Sequence, residues 1–357
     1  MKTLKQIFET IVKIDSVSGN EEKMRSFLID FLKEKNLNFK VDKVGNLFTF
    51  NYKNTKPILF VSHMDTVEPG KNIIPIFDDK YFKSDGKTIL GADNKAYLAA
   101  ILSLLQKKET YQKSFEIIFS VKEETGGGIE FFPFSWLKSK WGIIFDNANP
   151  VGGIVLRSPF IINFYIEFFG QAAHSSTPQK GKNSLLSAID FLKKIKLGFS
   201  NKKQTTINVG FLQSGTSINT IPEITQLKGE VRSYQKSLFE KNLKKIKEKA
   251  QLFAKKYQVK IKFKTDGFCP GYQLKKDDPL IKMVNQKIKK ACLKPKFYSY
   301  SGISDANILN DKGIKTVVLS DGVENPHTTQ EKISLESLEK MEKILEEILK
   351  DNQVNLF

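Results

Sequence analysis

The chain has 357 residues, of which 40% are hydrophobic and 27% charged, the composition of a globular protein of about two domains. No segment approaches the roughly 18 apolar residues that a membrane-spanning helix requires, and the amphipathic N-terminus differs from a signal peptide, so a cytoplasmic protein is expected. The net charge of +18 would suit a nucleic-acid-binding protein. The lysines, however, are spread along the whole chain, only Arg25, Arg157 and Arg232 are arginines, and no nucleic-acid-binding motif occurs. Neither a nucleic-acid nor a membrane partner is therefore predicted.

The first part of the chain alternates between helical and strand-like patterns. Residues 1–36 have the apolar spacing of two amphipathic helices separated by residues 16–19. Ser18 and Glu21 have the spacing of a capping box for the second helix. The other elements predicted here are buried strands over 57–61, 116–121 and 142–145 and a helix over 94–108. This alternation predicts an α/β domain with helices on both faces of a sheet.

The pattern changes near residue 158 and returns near residue 267. The middle part has amphipathic strands over 160–169, 205–212 and 225–233 and helices over 183–197 and 236–257. The last part has helices over 279–293, 305–311 and 335–350 and strands over 296–300 and 314–319. We therefore predict a mixed-sheet α/β/α catalytic domain of residues 1–157 and 267–357, with an inserted α+β domain of residues 158–266.

The three histidines of the chain are candidate metal ligands or catalytic groups. His63 ends a buried strand, and Asp65 would lie on the same side if the strand continued. The Asp65 carboxylate could then hold one ring nitrogen while the other nitrogen binds a metal; a purely structural pair is the alternative. His174 and His327 lie in polar segments, where each taken alone is as readily an ordinary surface histidine.

Acidic residues lie at strand ends and at a helix start. Asp93 precedes the helix over 94–108, and its carboxylate either bridges two cations or caps the helix. Glu123 and Glu124 follow a buried strand; a metal would neutralise their repulsion, with one as ligand and the other as general base, whereas a solvated loop pair is the alternative. Asp146 ends another buried strand and is either a ligand or a turn residue.

Taken together, these residues form a more specific pattern than any of them alone. Since His63, the glutamate pair and Asp146 each follow a separate buried strand, one edge of a sheet would gather them. Two histidines and three carboxylates are a suitable ligand set for two zinc-like ions that share a bridging carboxylate. The predicted metal ligands are His63, Asp93, Glu124, Asp146 and His327.

These five residues lie in five of nine motifs that follow one another along the chain. The motifs are SHMDTVEPGK, SDGKTILGADNKA, EET, GIIFD, GQAAHSS, GTSINTIP, KGEVRS, SGISDAN and NPHTTQEKI. From about residue 14 to 348 the sequence resembles the di-zinc peptidases that include peptidase T, carboxypeptidase G, succinyl-diaminopimelate desuccinylase and acetylornithine deacetylase. It is most similar to the peptidase T-like subgroup of tripeptide aminopeptidases.

The resemblance implies how the ligands are divided between two divalent ions, which would be zinc, or else cobalt or manganese. His63 and Asp146 would hold one ion, and Glu124 and His327 the other. Asp93 would bridge the two. The implied reaction is hydrolysis of peptide bonds in short peptides by a hydroxide that bridges the metals, with an N-acyl amino-acid deacylase or a carboxypeptidase of the same family as the alternative.

The resemblance also implies roles for residues outside the ligand set. Glu123 would be the general base, and Asp65 would support the histidine ligand. His174 would reach the active site of the partner subunit in a homodimer formed by the inserted lid domain. Asn219 and Arg232 would hold the carbonyl and carboxylate of the substrate; a bidentate carboxylate contact would explain an arginine in a chain that otherwise uses lysine.

The sequence departs from the common pattern of this family at several positions. Asn94 stands where many similar enzymes have a second aspartate, Lys122 where glycine is common, and Ile303 where a glycine-glycine-serine-aspartate segment is usual. No predicted metal ligand is missing. A catalytically inactive relative that serves as a binding module is therefore disfavoured by the complete ligand set and the intact Glu123.

Overall fold

The computed structural model describes residues 2–53, 56–200 and 204–350. Contacts within the chain divide it into two compact units. The first, which we call the main unit, contains residues 1–157, 274–300 and 304–357. The second, the inserted unit, contains residues 158–273 and 301–303.

The N-terminal segment of the main unit begins with amphipathic helices and continues into strands. Its elements are α1 (Leu4–Val12), α2 (Glu22–Glu34), β1 (Asn38–Val41), β2 (Leu47–Asn51), β3 (Ile58–His63), β4 (Ile76–Phe77), β5 (Tyr81–Lys83), α3 (Ala92–Leu104), β6 (Phe115–Ser120), β7 (Trp141–Phe145) and β8 (Gly153–Ser158). Thr3 forms a capping box with Gln6 at the start of α1. The predicted capping box of Ser18 and Glu21 is wrong, because no side-chain hydrogen bond caps α2.

The inserted unit contains one five-stranded antiparallel sheet and two helices. Its elements are β9 (Phe160–Phe169), α4 (Ser184–Lys194), β10 (Gly198–Ser200), β11 (Thr205–Ser214), β12 (Ile224–Ser233), α5 (Lys236–Lys256), β13 (Lys260–Cys269) and β14 (Tyr272–Gln273). The five-stranded sheet has the order β10-β11-β12-β9-β13. Alternate residues of β9, namely Phe164, Ile166 and Phe168, are buried in one apolar core with residues of α4 and α5.

The C-terminal segment returns to the main unit. Its elements are α6 (Pro279–Lys290), β15 (Lys296–Ser299), α7 (Asp305–Asp311), β16 (Lys315–Leu319), β17 (Lys332–Ser334) and α8 (Leu335–Lys350). The return lies at residue 274 rather than near 267, because β13 continues to Cys269 and pairs with β9. Among the described residues, no helix is both long and apolar enough to cross a membrane.

The main unit is built on a mixed sheet with the strand order β1-β2-β6-β3-β7-β16-β8. The central strands β6, β3, β7 and β16 are mutually parallel, whereas β2 runs antiparallel to β6, and β8 runs antiparallel to β16 and parallel to β15. Every residue of β3 and β6 is buried, as expected of strands covered on both faces. The predicted class, a mixed-sheet α/β domain with an inserted α+β unit, is confirmed. The parallel centre also means that four strands end at the same edge.

Candidate active site

The carboxyl ends of the central parallel strands place several of the predicted residues side by side. His63 is the last residue of β3, and Asp146 directly follows β7. Glu123 and Glu124 follow the end of β6 by a short turn. Because β3 is hydrogen-bonded to both β6 and β7 in parallel, these side chains meet at one edge of the sheet, where ligand sites of open α/β sheets lie.

Asp93 lies between two histidines. Its Oδ1 is 3.4 Å from Nε2 of His63, and its Oδ2 is 3.5 Å from Nε2 of His327. Nε2 of His327 also lies 2.9 Å from Oε1 of Glu124. A carboxylate whose two oxygens face two different imidazole nitrogens has the geometry of a bridging metal ligand.

The potential ligand atoms form three overlapping groups, in each of which all atoms lie within 4.8 Å of one another. The groups are His63, Asp93 and Asp146; Asp93, Glu124 and His327; and His63, Glu123 and Glu124. The first two share Asp93 and together contain every predicted ligand. The third also brings Glu123 within reach of a metal, so proximity alone does not separate a ligand from a base at the glutamate pair.

The chemistry of these groups fits divalent metal ions. Nε2 of His63 and Oδ1 of Asp93 are buried and have no hydrogen-bond partner among the residues that the structure describes. Buried polar atoms are nearly always bonded, and an orphaned nitrogen beside an orphaned carboxylate oxygen is explained by coordination to a cation. Imidazole nitrogen and carboxylate oxygen are ligands that zinc accepts.

The main chain at Asp65 orients the ring of His63. Nδ1 of His63 lies 2.9 Å from the main-chain oxygen of Asp65 and 3.4 Å from its Oδ1. An Nδ1–H that donates to this carbonyl leaves the lone pair of Nε2 directed toward Asp93, as a metal ligand requires. The sequence predicted the Asp65 carboxylate in this role, and its Oδ1 does lie beside Nδ1 of His63, although the strand ends at His63 and the alternation does not extend to Asp65.

The Asp65 carboxylate also holds the glutamate pair. It accepts the backbone N–H of Glu123 at 3.0 Å and of Glu124 at 3.1 Å, together with the Ser18 hydroxyl at 2.5 Å. Glu21 adds a further contact by accepting the backbone N–H of Lys122 at 3.0 Å. The two residues of the failed capping box therefore fix the loop that carries both glutamates.

Lys122, directly before the glutamate pair, has φ +53°, in the left-handed region that favours glycine. This conformation gives a physical reason why glycine is common at this position in similar enzymes. A lysine there carries a backbone strain that the surrounding hydrogen bonds must offset.

The site has more carboxylates than cations. Burial, together with the charge of Asp146, raises the pKa of Glu123 well above its usual range. Burial and the charge of Asp93 do the same to the pKa of Asp146. Hydrogen bonds to Asp93 and Glu124 raise the pKa of His327 to about 10. Without added positive charge these groups hold protons, so divalent cations are the natural counter-charge.

Glu331 and Asp321 are buried carboxylates near this edge that were not among the predicted site residues. Glu331 accepts the backbone N–H of Gly91 at 2.7 Å and of Asp93 at 3.0 Å, and so fixes the loop of the bridging carboxylate. Asp321 follows β16 and accepts the backbone N–H of Asn147 at 3.1 Å. Asp321 carries the same signal as Asp146, a carboxylate just after a buried strand, which would have found it.

The inserted unit brings two of its predicted residues together. His174 is exposed, and its Nδ1 lies 2.7 Å from the Ser176 hydroxyl. The next residue, Ser175, donates its backbone N–H to the main-chain oxygen of Asn219 at 2.9 Å. His174 and Asn219 are thus held on adjacent segments of the same unit.

Arg232 binds a carboxylate of its own chain. Its Nε and Nη2 donate to the two carboxylate oxygens of Glu230 at 2.8 and 3.0 Å. Its Nη1 donates to the main-chain oxygen of Ser301 at 2.9 Å. The bidentate contact expected with a substrate carboxylate is made here with Glu230 of the same chain.

Comparison with known proteins identifies what this arrangement resembles. The sequence profile of peptidase family M20/M25/M40 matches residues 59–351. A Bacillus subtilis protein named YqjE is 29% identical, and the match covers 98% of each chain. A tripeptidase from Staphylococcus aureus is 29% identical, with a TM-score of 0.94, over 98% of this chain and 97% of that chain. The aminopeptidase PepT from Bacillus cereus is 29% identical, with a TM-score of 0.93, over 98% of each chain. The resemblance indicated by the motifs is confirmed.

Proposed function

Since this chain belongs to peptidase family M20/M25/M40, we propose that it is a two-metal aminopeptidase that removes the N-terminal residue of tripeptides and similar short peptides. The observation that carries the proposal is the position of Asp93, whose two oxygens face His63 and His327. The similarity to a tripeptidase and to an aminopeptidase PepT, at 29% identity over nearly the whole chain, supports the substrate class.

The two groups that share Asp93 define the proposed ligand sets. His63 and Asp146 complete one set, and Glu124 and His327 complete the other. Zinc is the proposed metal, with cobalt and manganese as alternatives, because both ligand sets combine imidazole with carboxylates. When bound, such ions polarise the scissile carbonyl and lower the pKa of the attacking water.

Glu123 is the proposed general base. Its backbone is fixed by Asp65, and its pKa is raised by burial and by the charge of Asp146, so its carboxylate readily accepts a proton. It takes a proton from the attacking water and returns it to the leaving amine. His174 is proposed to stabilise the negative charge that develops on the carbonyl oxygen.

Digestion of a peptide library, analysed by mass spectrometry, tests the proposed reaction. We expect tripeptides with a free N-terminus to lose their first residue, and the same peptides with an acetylated N-terminus to remain intact. Glu123→Ala protein, purified in the same way, controls for contaminating peptidases. Release of the acetyl group would favour the deacylase, and release of the C-terminal residue the carboxypeptidase.

Arg232 is proposed to hold the carboxylate of the substrate and Asn219 its carbonyl. The variant Arg232→Lys tests the role of Arg232. We expect the KM for a free-acid tripeptide to rise about 10–100-fold relative to its C-terminal amide, because lysine keeps the charge but loses the bidentate fork. Steady-state kinetics on both peptides measure this ratio. Glu230→Ala is the matched control, since it removes the partner within the chain and leaves the fork. If Arg232→Lys left the ratio of the two KM values unchanged, and both variants lost the same amount of thermal stability, Arg232 would have only a structural role.

We also propose a cytoplasmic homodimer formed by the inserted units, without nucleic-acid or membrane partners. β10 pairs with β11 only over Thr205–Ile207, and no other described strand covers residues 208–214 on that side. Phe211 and Leu212 of this segment are exposed. An unpaired apolar edge readily pairs with its symmetry mate.

Salt-dependent binding of DNA or RNA would contradict the proposed absence of a nucleic-acid partner.

Complementation between variants tests whether His174 acts on the neighbouring subunit. His174→Ala and Glu123→Ala are each expected to be inactive. After the two are mixed under exchange conditions, half of the dimers are mixed and hold one intact site, so about a quarter of the wild-type activity returns. Light scattering that shows a fully active monomer would rule out this arrangement.

A further inference from the structure

The side chain of Asn94 joins two strand ends that carry candidate metal ligands. Its Oδ1 accepts a hydrogen bond from the Ser62 hydroxyl at 2.7 Å. Its Nδ2 donates to the main-chain oxygen of Phe145. Ser62 directly precedes His63 at the end of β3, and Phe145 directly precedes Asp146 at the end of β7. One amide therefore links the residues that directly precede two ligands.

Asn94 itself directly follows the third ligand of the same group, Asp93. Each of the three ligands His63, Asp93 and Asp146 is thus next in sequence to a residue of one hydrogen-bonded group, which the amide of Asn94 holds together. Asn94 and Ser62 are each only 1% exposed, so water does not compete for these hydrogen bonds. Hydrogen bonds in such a low-dielectric interior hold their partners firmly.

We propose that Asn94 is a positioning residue that sets the spacing of His63, Asp93 and Asp146 and thereby the affinity of the metal site that these three form. The proposal rests on the proposed function, since it takes this group as a metal site. It concerns a residue that contacts neither substrate nor metal and acts through the backbone neighbours of the ligands.

An amide suits this position better than a carboxylate in this chain. The two contacts need one acceptor, for the Ser62 hydroxyl, and one donor, for the Phe145 carbonyl. An ionised carboxylate supplies only acceptors. It would also add a negative charge to a site where Glu123 and Asp146 already repel each other. The departure from the aspartate common in similar enzymes therefore matches the hydrogen bonds that are present.

Zinc titration of the metal-free protein, with a competing chelator, tests the proposal without measuring catalysis. Asn94→Leu has the same branching and the same number of side-chain heavy atoms and loses both hydrogen bonds, and we expect the dissociation constant of one of the two zinc ions to rise about 10–100-fold. Ser62→Ala loses one contact and is expected to show a smaller rise. If Asn94→Leu does not fold, the zinc affinity of Ser62→Ala alone tests the proposal.

Tyr97→Phe is the matched control. The Tyr97 hydroxyl also joins α3 to β7, by donating to the main-chain oxygen of Ile143 at 3.1 Å, but neither residue adjoins a ligand. We expect Tyr97→Phe to lower the thermal stability of the metal-free protein while leaving zinc affinity unchanged. In the cobalt-loaded proteins, the visible absorption spectrum should shift for Asn94→Leu and not for Tyr97→Phe.

Three outcomes would overturn the proposal, and they are distinguishable. Wild-type zinc affinity in folded Asn94→Leu, or in Ser62→Ala if the first does not fold, removes the positioning role while the proposed function stands. Equal loss of zinc affinity in Tyr97→Phe reduces the effect to general stability. A wild-type protein that binds no zinc, cobalt or manganese would overturn the proposed function as well.

Discussion

Glu123→Ala is expected to lower kcat by about 10²–10⁴-fold, the range of general acid–base catalysis, while the protein keeps its metal. Glu124→Ala is expected to lose metal as well as activity, because Oε1 of Glu124 lies beside His327 in the group that contains Asp93. The two residues are adjacent and both backbones are held by Asp65, so each variant is the control for the other.

Steady-state kinetics combined with elemental analysis after dialysis measure both properties. The comparison is needed because Glu123 also belongs to a group that could hold a metal with His63 and Glu124. If Glu123→Ala lost the metal and Glu124→Ala kept it, the roles of the two glutamates would be exchanged.

Asp93→Ala is expected to have the largest effect of any single substitution, with loss of both metals and of all measurable activity. Asp93 is the one residue shared by the two proposed ligand sets, and its two oxygens face different histidines. Replacement by alanine leaves each set with two ligands, fewer than the three protein ligands of a catalytic zinc site.

Elemental analysis of Asp93→Ala, beside the wild type and Asp30→Ala, checks this expectation. Asp30 is a suitable control because its side chain is 80% exposed and pairs with Lys33 on the surface of α2. Retention of one tightly bound metal in Asp93→Ala would show that the remaining ligands suffice for that ion and that Asp93 is not needed in both sets.

The sequence predicted the position of the metal groups because their geometry follows from strand order. Buried strands that end in His63 and Asp146, and a third that precedes the glutamate pair, are visible as apolar runs. When these strands are parallel neighbours, their carboxyl ends lie at the same edge of the sheet, and no other information is needed to predict that their side chains are close. The chemistry of the side chains then restricts the ligand set.

The contacts that hold the site in place could not be predicted in the same way. Ser18 and Asp65 are 47 positions apart in sequence, and Asn94 and Phe145 are 51 apart. Local patterns favoured a capping box for Ser18, because a hydroxyl before a helix has the same spacing whether it caps that helix or bonds to a distant loop. Only the tertiary structure distinguishes these alternatives.

In the inserted unit, the sequence predicted some strands and missed others. β9 was predicted over its whole length because apolar and polar residues alternate in it. β13 was missed: it is a mostly exposed edge strand in which lysines alternate with Ile261 and Phe263, so little of its sequence is apolar. Its pairing with β9 is what moves the end of the unit to residue 273.

Titration of metal-free protein with zinc, with the rate of tripeptide hydrolysis measured after each addition, tests whether two bound metal ions are needed for activity. We expect no hydrolysis without metal and maximal hydrolysis when two ions are bound per chain, since the two ligand sets share Asp93. Full hydrolysis by protein shown by elemental analysis to be metal-free would contradict this expectation. So would a failure of zinc, cobalt and manganese alike to bind and restore activity.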